Sequence, residues 1–170
     1  MTINGKRVYK TDIEADNGLI HLLNDVVYPF PLGNIMEVIR QDDHFSTLLS
    51  AIEAADLADT LSIGGPFTVF APTNNAFTKL PKDDLDALLA DKEALTKVLL
   101  RHVLPGTLFS TGVTWSTHET AGNDTIATQV FKTGIIRVAS NTDGERLGAW
   151  VVNADIIATN GVVHAIDTII

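Results

Sequence analysis

Residues 68–77 decide the fold and read Thr68-Val69-Phe70-Ala71-Pro72-Thr73-Asn74-Asn75-Ala76-Phe77. The β-branched and aromatic residues from Phe67 onward predict a strand. It ends at Pro72, because proline cannot donate a hydrogen bond to a neighbouring strand. Thr73 or Asn74 can then cap a short helical turn that carries Phe77. The stretch therefore predicts a strand that passes directly into a helical turn.

Helical patterns lie on both sides of this stretch. Apolar residues between Phe45 and Ala55 recur at i, i+3, i+4, i+7 and i+10, the spacing of a helix that packs one face on a core. Further helices are predicted over residues 33–41, from Pro81 onward with Leu85, Leu88 and Leu89 inward, and over residues 92–102 with Asp91 as the cap.

After residue 104 the pattern becomes that of β-strands. The predicted strands are Thr107–Phe109, Val113–Trp115, Ile126–Phe131, Ile135–Ala139, Ala149–Asn153 and Val162–Ile169. Trp115 and Trp150 are interpreted as half-buried strand residues. Turn signals occur at Asn160-Gly161 and at Thr142-Asp143-Gly144. Because helices cluster in the first half and strands in the second, the sequence predicts an α+β fold and not an alternating α/β fold.

The composition excludes several classes of protein. The chain has 170 residues, 45% of them apolar, and a net charge of −9. It can bury a core, and it lacks the clusters of Lys and Arg that nucleic-acid binding needs. The absence of cysteine removes disulfides, thiolate nucleophiles and cysteine zinc sites. No apolar signal segment follows Met1, which predicts either an intracellular protein or a piece of a longer one.

The two ends of the chain repeat each other. Residues 8–27 align without a gap on residues 151–170, with these identical pairs: Val8/Val151, Asp12/Asp155, Ile13/Ile156, Ala15/Ala158, Asn17/Asn160, Gly18/Gly161 and His21/His164. We interpret residues 1–28 as the C-terminal strands of a preceding copy of the domain, residues 29–31 as a linker and residues 32–170 as the complete domain. The alternative is two unrelated strand–turn–strand segments that share Asn-Gly.

Three segments together resemble the fasciclin domain family. Residues 68–77 are similar to its first hallmark box, residues 99–106 (Leu-Leu-Arg-His-Val-Leu-Pro-Gly) to its second box, and residues 152–167 to its closing strands. The resemblance implies a wedge of two β-sheets flanked by helices. It also implies a non-catalytic cell-adhesion or extracellular-matrix module in a secreted or membrane-anchored parent with tandem copies. Implied partners are integrin-type receptors, matrix proteins and neighbouring fasciclin domains. Apart from the resemblance, the apolar residues of segment 3–28 predict a hairpin that packs on its own domain or on the same segment of a second copy of the chain.

The resemblance also implies where such a module binds its partner. In several animal members, integrin-mediated adhesion is attributed to an Asp-Ile pair in the closing strands and to a Tyr-His pair near the second box. Here the first pair is Asp155-Ile156, and an exposed carboxylate suits the metal ion of an integrin. The second pair is Arg101-His102, which departs from the family pattern because arginine replaces tyrosine. The alternative for the first pair is a turn cap at Asp155 with Ile156 in the core.

Catalytic and cofactor chemistry is not indicated. The chain has no G-x-S-x-G motif, its histidines show no metal-ligand spacing, and His102 and His164 are interpreted as buried. We therefore expect no enzyme activity, no metal and no cofactor. Asn123 begins the one Asn-x-Thr sequon, an acceptor pattern for N-glycosylation. The alternative function is a carrier of an apolar small molecule such as a carotenoid, as in some family members of photosynthetic organisms.

Overall fold

The computed structural model describes residues 2–3, 6–23, 33–140 and 148–170. Their α-helices are α1 (Ile35–Gln41), α2 (Ser46–Ala54), α3 (Ala58–Ile63), α4 (Asn74–Thr78), α5 (Lys82–Ala90) and α6 (Lys92–Arg101). Their strands are β1 (Thr2–Ile3), β2 (Lys6–Ala15), β3 (Gly18–Leu23), β4 (Phe67–Pro72), β5 (Val103–Pro105), β6 (Ser116–Glu119), β7 (Thr125–Val130), β8 (Ile136–Ser140), β9 (Ala149–Ala158) and β10 (Gly161–Ile166). The interpreted linker, residues 29–31, and the turn signal at residues 142–144 lie outside the described residues.

Seven strands form one sheet in the order β5-β4-β10-β9-β8-β7-β6. Neighbouring strands are antiparallel, except that β4 and β10 run parallel along residues 67–72 and 161–166. β9 belongs to two halves of the sheet, because residues 149–150 pair with β8 whereas residues 151–158 pair with β10. The predicted α+β fold class is confirmed.

Two clusters of buried apolar side chains stabilise this arrangement. The larger cluster joins the helices to β4 and β10, and the smaller one joins β4 to strands of both halves of the sheet. β4 contributes to both, because successive strand side chains point to opposite faces. Val69 and Ala71 belong to the larger cluster and Phe70 to the smaller one. The first part of the stretch 68–77 is therefore the strand that the two cores share.

The asparagine of this stretch connects β4 to the first part of the helical layer. Asn74 Oδ1 accepts a hydrogen bond of 3.0 Å from Thr47 N–H, and Asn74 Nδ2 donates one of 2.9 Å to the Asp43 carbonyl. The N-cap of α4 is Thr73, whose side chain makes no capping hydrogen bond. Of the two predicted caps, Thr73 thus occupies the N-cap position without a side-chain bond, while the Asn74 side chain holds the start of α2.

Two predicted strands are wrong. Residues 107–109 and 113–115 are not in strands, and a 3₁₀ turn at Ser110–Gly112 separates them. The N–H of Leu108 donates to the hydroxyl of Thr68 over 2.8 Å, so a side chain takes the place that a strand partner would need. Trp115, predicted to be half-buried, is 82% exposed.

Leu89 was expected to face inward and is exposed. α5 contains no fully buried residue, and it packs on the larger core only through the partly buried Leu85 and Leu88. Because α5 lies on the surface, the face of this helix that contacts the core includes Leu85 and Leu88 but not Leu89, and is narrower than the leucine pattern predicted.

β1, β2 and β3 form a separate three-stranded sheet. The β2–β3 register pairs Val8 with Leu23, Lys10 with Leu22, Ile13 with Ile20, Glu14 with Leu19, and Ala15 with Gly18. The β9–β10 register pairs the residues 143 positions later in the same way, including both register shifts. We call residues 6–23 the N-terminal hairpin and residues 149–166 the closing hairpin. The sequence repeat is thus also a repeat of backbone pairing.

Candidate functional site

Asp155 occupies an irregular point of β9. Its φ is +61°, in the left-handed region that aspartate tolerates better than most residues. The register of β9 and β10 shifts at the same level, as in a β-bulge. The carboxylate turns toward Ser110, whose N–H donates to Oδ1 over 2.7 Å and whose hydroxyl donates to Oδ2 over 2.5 Å. The Asp155 side chain is only 8% exposed as a result.

His164 fixes the same bulge from β10. Its Nδ1 accepts a hydrogen bond of 3.1 Å from the backbone N–H of Asp155, and its Nε2 lies 2.8 Å from the Leu108 carbonyl oxygen. We assign a neutral imidazole with the proton on Nε2, because one nitrogen accepts and the other faces an acceptor. Burial lowers the pKa of His164, although the Leu108 carbonyl and the Asp155 charge oppose the shift.

Ser110, Asp155 and His164 form a partly buried cluster that we call the clasp. The clasp differs from a catalytic triad, in which the imidazole takes the proton of the serine hydroxyl. Here the Ser110 hydroxyl donates directly to Asp155, while both nitrogens of His164 are engaged by backbone groups. The hydrogen bonds of the clasp therefore have a structural role. They hold residues 108–110 against the closing hairpin.

Ile156 reaches the surface beside the clasp. It packs partly against the larger core and borders a surface groove. The other residues of this groove are Val38, Gln41, Asp42, Asp43 and His44. Asp43 is exposed, whereas the carboxylate of Asp155 is occupied by Ser110. Of the predicted Asp-Ile pair, the isoleucine is thus the member that a partner can reach.

The predicted Arg101-His102 pair lies at the end of α6 and is bonded internally. Arg101 Nε donates to Asp124 Oδ2 over 3.0 Å, between two largely buried side chains. His102 Nδ1 donates to the Val98 carbonyl over 2.8 Å, and Nε2 accepts from the N–H of Ile170 over 3.1 Å. Burial lowers the pKa of His102 to about 4, although the Val98 carbonyl opposes the shift and the Arg101 charge adds to it.

The four predicted partner-binding residues are not joined into one site. Among the described residues, no hydrogen bond or ion pair connects Arg101 or His102 with Asp155 or Ile156. Arg101 and His102 lie at the end of α6, whereas Asp155 and Ile156 lie in the closing hairpin. Their partner-binding role stays a prediction.

Asn123 lies exposed at the turn between β6 and β7, with a φ of +60°. The next residue, Asp124, is held by Arg101, and its N–H is held by the Thr120 hydroxyl over 3.2 Å. Arg101 and Thr120 therefore fix the turn through Asp124, while Asn123 is exposed to solvent. N-glycosylation at Asn123 stays a prediction.

An apolar cavity of about 30 Å³ lies between the helices and β4. Its walls include Leu48, Ile52, Leu61, Val69 and Leu99. This is about the volume that one water molecule occupies in the liquid, whereas pockets for small-molecule ligands measure roughly 300–1,000 Å³. A carotenoid-sized ligand would fit in this cavity only if the surrounding helices moved apart.

Two other kinds of feature are absent from residues 2–3, 6–23, 33–140 and 148–170. These residues contain no group of three or more His, Cys, Asp or Glu side chains that could hold a metal ion. None of their helices has the length and apolar character needed to cross a membrane.

The N-terminal hairpin carries an open copy of the clasp, which the sequence analysis missed. Asp12 has a φ of +57°, and its N–H donates to His21 Nδ1 over 3.1 Å. The Asp12 side chain is 69% exposed, because no described residue covers it in the way that Ser110 covers Asp155. The available signal was the recurrence of Asp and His nine residues apart. Ser110, 45 residues from Asp155 in the chain, gave no such signal.

A model of the fasciclin domain family matches residues 43–170, and the chain belongs to this family. Transforming growth factor-beta-induced protein ig-h3 of Oryctolagus cuniculus is 32% identical over 170 residues, which cover 100% of this chain and 24% of that protein. Protein sll1483 of Synechocystis sp. is 40% identical over 138 residues, 80% of this chain and 72% of that protein. The resemblance inferred from the three motifs is confirmed.

The fold has a solved counterpart in the FAS1 domain pair of fasciclin I, an insect cell adhesion molecule. The TM-score is 0.67 at 20% identity, and the match covers 98% of this chain and 60% of that one. The chain spans about a quarter of the length of the rabbit protein that it matches.

Proposed function

We propose that the chain is a non-catalytic protein-binding module of a cell-adhesion or extracellular-matrix protein. The observation that carries the proposal is the repeated register of the closing hairpin at the N-terminus of a fasciclin-family chain. It is supported by the similarity of 98% of the chain to a domain pair from a cell adhesion molecule. In this proposal the parent protein is secreted, or is anchored to a membrane through another of its parts.

The proposed parent contains fasciclin domains in tandem. Residues 1–28 are then the C-terminal strands of a preceding domain, residues 29–31 the linker and residues 32–170 a complete domain. Linked modules bind by avidity, so the contact made by each single domain can be weak.

The groove beside Ile156 is the receptor contact in this proposal. An integrin-type receptor presents a metal ion that needs a free carboxylate. Asp43 supplies an exposed one and Ile156 supplies apolar contact, while the clasp at Asp155 holds the adjacent strand in position. Arg101 and His102 act indirectly, because they fix the turn at Asp124 and the end of the chain.

The test is attachment of integrin-bearing cells to a surface coated with the full chain. We expect attachment to the unaltered chain and a clear reduction with Asp43→Asn, while circular dichroism stays unchanged. Asp83→Asn on α5 is the matched control, since Asp83 is exposed and does not line the groove. No attachment to the unaltered chain would contradict the adhesive function. Equal attachment to the Asp43 variant would contradict the assignment of the groove.

A further inference from the structure

The outer face of β7, β8 and β9 carries a row of polar and aromatic side chains. Gln129 on β7 lies opposite Arg137 on β8, and Arg137 lies opposite Trp150 on β9. Directly opposite residues on neighbouring strands have their side chains on the same face of a sheet. The other face is fully buried at the adjacent row, which contains Thr128, Val138 and Ala149. One face of these three strands thus covers a core, while the other is accessible to solvent.

A second row on the outer face is apolar and exposed. Phe131 and Ile135 lie where β7 and β8 meet their connecting turn, and the Phe131 N–H donates to the Ile135 carbonyl over 3.0 Å. Val152 follows Trp150 by two residues on β9 and therefore shares its face. These three side chains are 42%, 49% and 60% exposed. Exposed apolar patches bordered by polar residues mark interaction sites. We call the two rows together the platform, and its residues are Gln129, Phe131, Ile135, Arg137, Trp150 and Val152.

Contacts within the platform hold its rings and its charge in place. The ring centroids of Phe131 and Trp150 are 5.4 Å apart, and the guanidinium carbon of Arg137 lies 5.6 Å from the centroid of the Trp150 ring. A Cβ atom on Gly148 would come within 2.9 Å of Arg137 Nε, so glycine at this position leaves space for the arginine. Arg137 Nε is buried without a hydrogen-bond partner, and no carboxylate of the described residues lies within ion-pair distance of the guanidinium. The platform therefore presents a fixed positive charge that the described part of the chain does not neutralise.

We infer that the platform binds a flat, linear polysaccharide that carries carboxylates, a chain of equatorially linked uronic acid units. The C–H groups of the sugar rings pack on Phe131 and Trp150, because the faces of aromatic rings carry partial negative charge. The amide of Gln129 bonds to sugar hydroxyls, and the amino groups of the Arg137 guanidinium bind a carboxylate. An equatorially linked chain is a flat ribbon, which suits the open face of a sheet.

The charge of the whole chain favours a sparsely charged polymer. Its net charge of −9 repels densely sulfated polysaccharides. Such polymers are bound by clusters of Lys and Arg, whereas the two rows of the platform contain the single cation Arg137. A polysaccharide whose charges are carboxylates spaced along the chain matches one guanidinium flanked by rings and an amide.

The size and chemistry of the platform favour a polysaccharide over a protein. The three strands span about 10 Å from β7 to β9 at the usual strand spacing, whereas a stable protein interface buries about 800 Å² on each partner. An extended peptide on this face would bury its own N–H and C=O groups against Phe131, Ile135 and Val152, which cannot pair with them. A sugar chain places C–H groups on the rings and keeps its hydroxyls at the edges. The inference does not rest on the proposed function, because the platform shares no residue with the groove beside Ile156.

The test measures the binding of two matched oligosaccharides to the full chain by isothermal titration calorimetry. One is cellohexaose, and the other is the same hexamer with every primary alcohol oxidised to a carboxylate. We expect the oxidised hexamer to bind about tenfold more tightly, because it makes a charge-assisted bond to Arg137. Arg137→Gln should bring the two affinities together, and Trp150→Ala should weaken both by about tenfold. Tyr9→Ala is the matched control, since Tyr9 is an exposed aromatic residue on the separate three-stranded sheet, and it should bind as the unaltered chain does.

Circular dichroism checks that each variant is folded, and Phe131→Ala tests the same ring contact if Trp150→Ala does not fold. Failure of both hexamers to bind the unaltered chain would overturn the inference. Equal affinity for the two hexamers would overturn the role of the carboxylate. Binding that survives the loss of either ring would place the sugar elsewhere. A concentration-dependent dimer in sedimentation velocity that disappears on Trp150→Ala would assign the platform to a second copy of the chain. None of these measurements involves cell attachment, so their outcome is independent of the adhesive function.

Discussion

The backbone N–H of Asp155 donates to Nδ1 of His164 over 3.1 Å, and the N–H of Asp12 donates to Nδ1 of His21 over the same distance. The second pair forms this bond although no serine loop covers it in the described residues. The left-handed conformation of the aspartate and the bond to the histidine are thus properties of the hairpin itself. Ser110 is added to a geometry that the two strands already define.

The clasp should stabilise the domain measurably. Asp155→Ala removes two charge-assisted hydrogen bonds from Ser110 and leaves the partly buried N–H of Ser110 without this acceptor, so we expect a loss of about 3 kcal/mol in the free energy of unfolding. Urea denaturation measures this change. Asp12→Ala is the control, because it places alanine at nearly the same φ without removing a contact to a serine. It should lower the free energy of unfolding far less. Equal losses in the two variants would show that backbone strain, and not the clasp, is responsible.

The turn residue Asn160 should matter much more than its copy. Asn160→Ala removes hydrogen bonds to Leu61, Gly64 and Ile35, and we expect a loss of roughly 3 kcal/mol, about 1 kcal/mol per bond. The loss would appear as a lower urea midpoint with an unchanged slope. Asn17→Ala should leave the midpoint where it is. A stable Asn160 variant would mean that the start of α1 and the end of α3 do not depend on this side chain.

Acid should destabilise the domain through its buried histidines. Burial lowers the pKa of both His102 and His164 in the folded protein, whereas the unfolded chain protonates them near their ordinary value of about 6.5. Between these values the unfolded state binds more protons, so stability is fully present above pH 6.5 and falls as the pH falls. For His102, with a folded pKa of about 4, the loss between pH 6.5 and pH 4 is roughly 3 kcal/mol.

Urea denaturation at a series of pH values from 7.5 to 4.5 measures this effect. His102→Gln removes the titrating group, so the variant should be less stable at pH 7.5 and should lose less stability on acidification than the unaltered chain. His21→Gln is the control, since His21 is partly exposed and belongs to the N-terminal hairpin. An unchanged pH dependence in the His102 variant would contradict the assignment of a neutral, buried imidazole.

The sequence predicted elements whose signals are local. The strand at Phe67–Pro72 and the cap of α6 by Asp91 were predicted correctly, because alternation and capping depend on a few neighbouring residues. The strand predicted at residues 107–109 failed because the Thr68 hydroxyl, 40 residues away, takes the N–H of Leu108. A propensity pattern contains no information about such a distant donor or acceptor.

The site was predictable to a smaller extent, for the same reason. The repeat of Asp12 and His21 at Asp155 and His164 is visible in the sequence, and so is the interpretation of His102 and His164 as buried. The burial of the Asp155 carboxylate depends on Ser110, and the reach of Ile156 to a surface groove depends on α1 and the residues that follow it. Both are tertiary contacts, which only the folded arrangement reveals.

The most direct measurement compares the free energy of unfolding of residues 32–170 alone with that of the full chain, by urea denaturation under identical conditions. If residues 32–170 form a complete fasciclin domain and residues 1–28 belong to another, deletion should leave a single cooperative transition, with a free energy within about 1 kcal/mol of the original. Loss of the transition, or a fall of several kcal/mol, would show that the N-terminal hairpin is part of this domain's own core and would contradict the account.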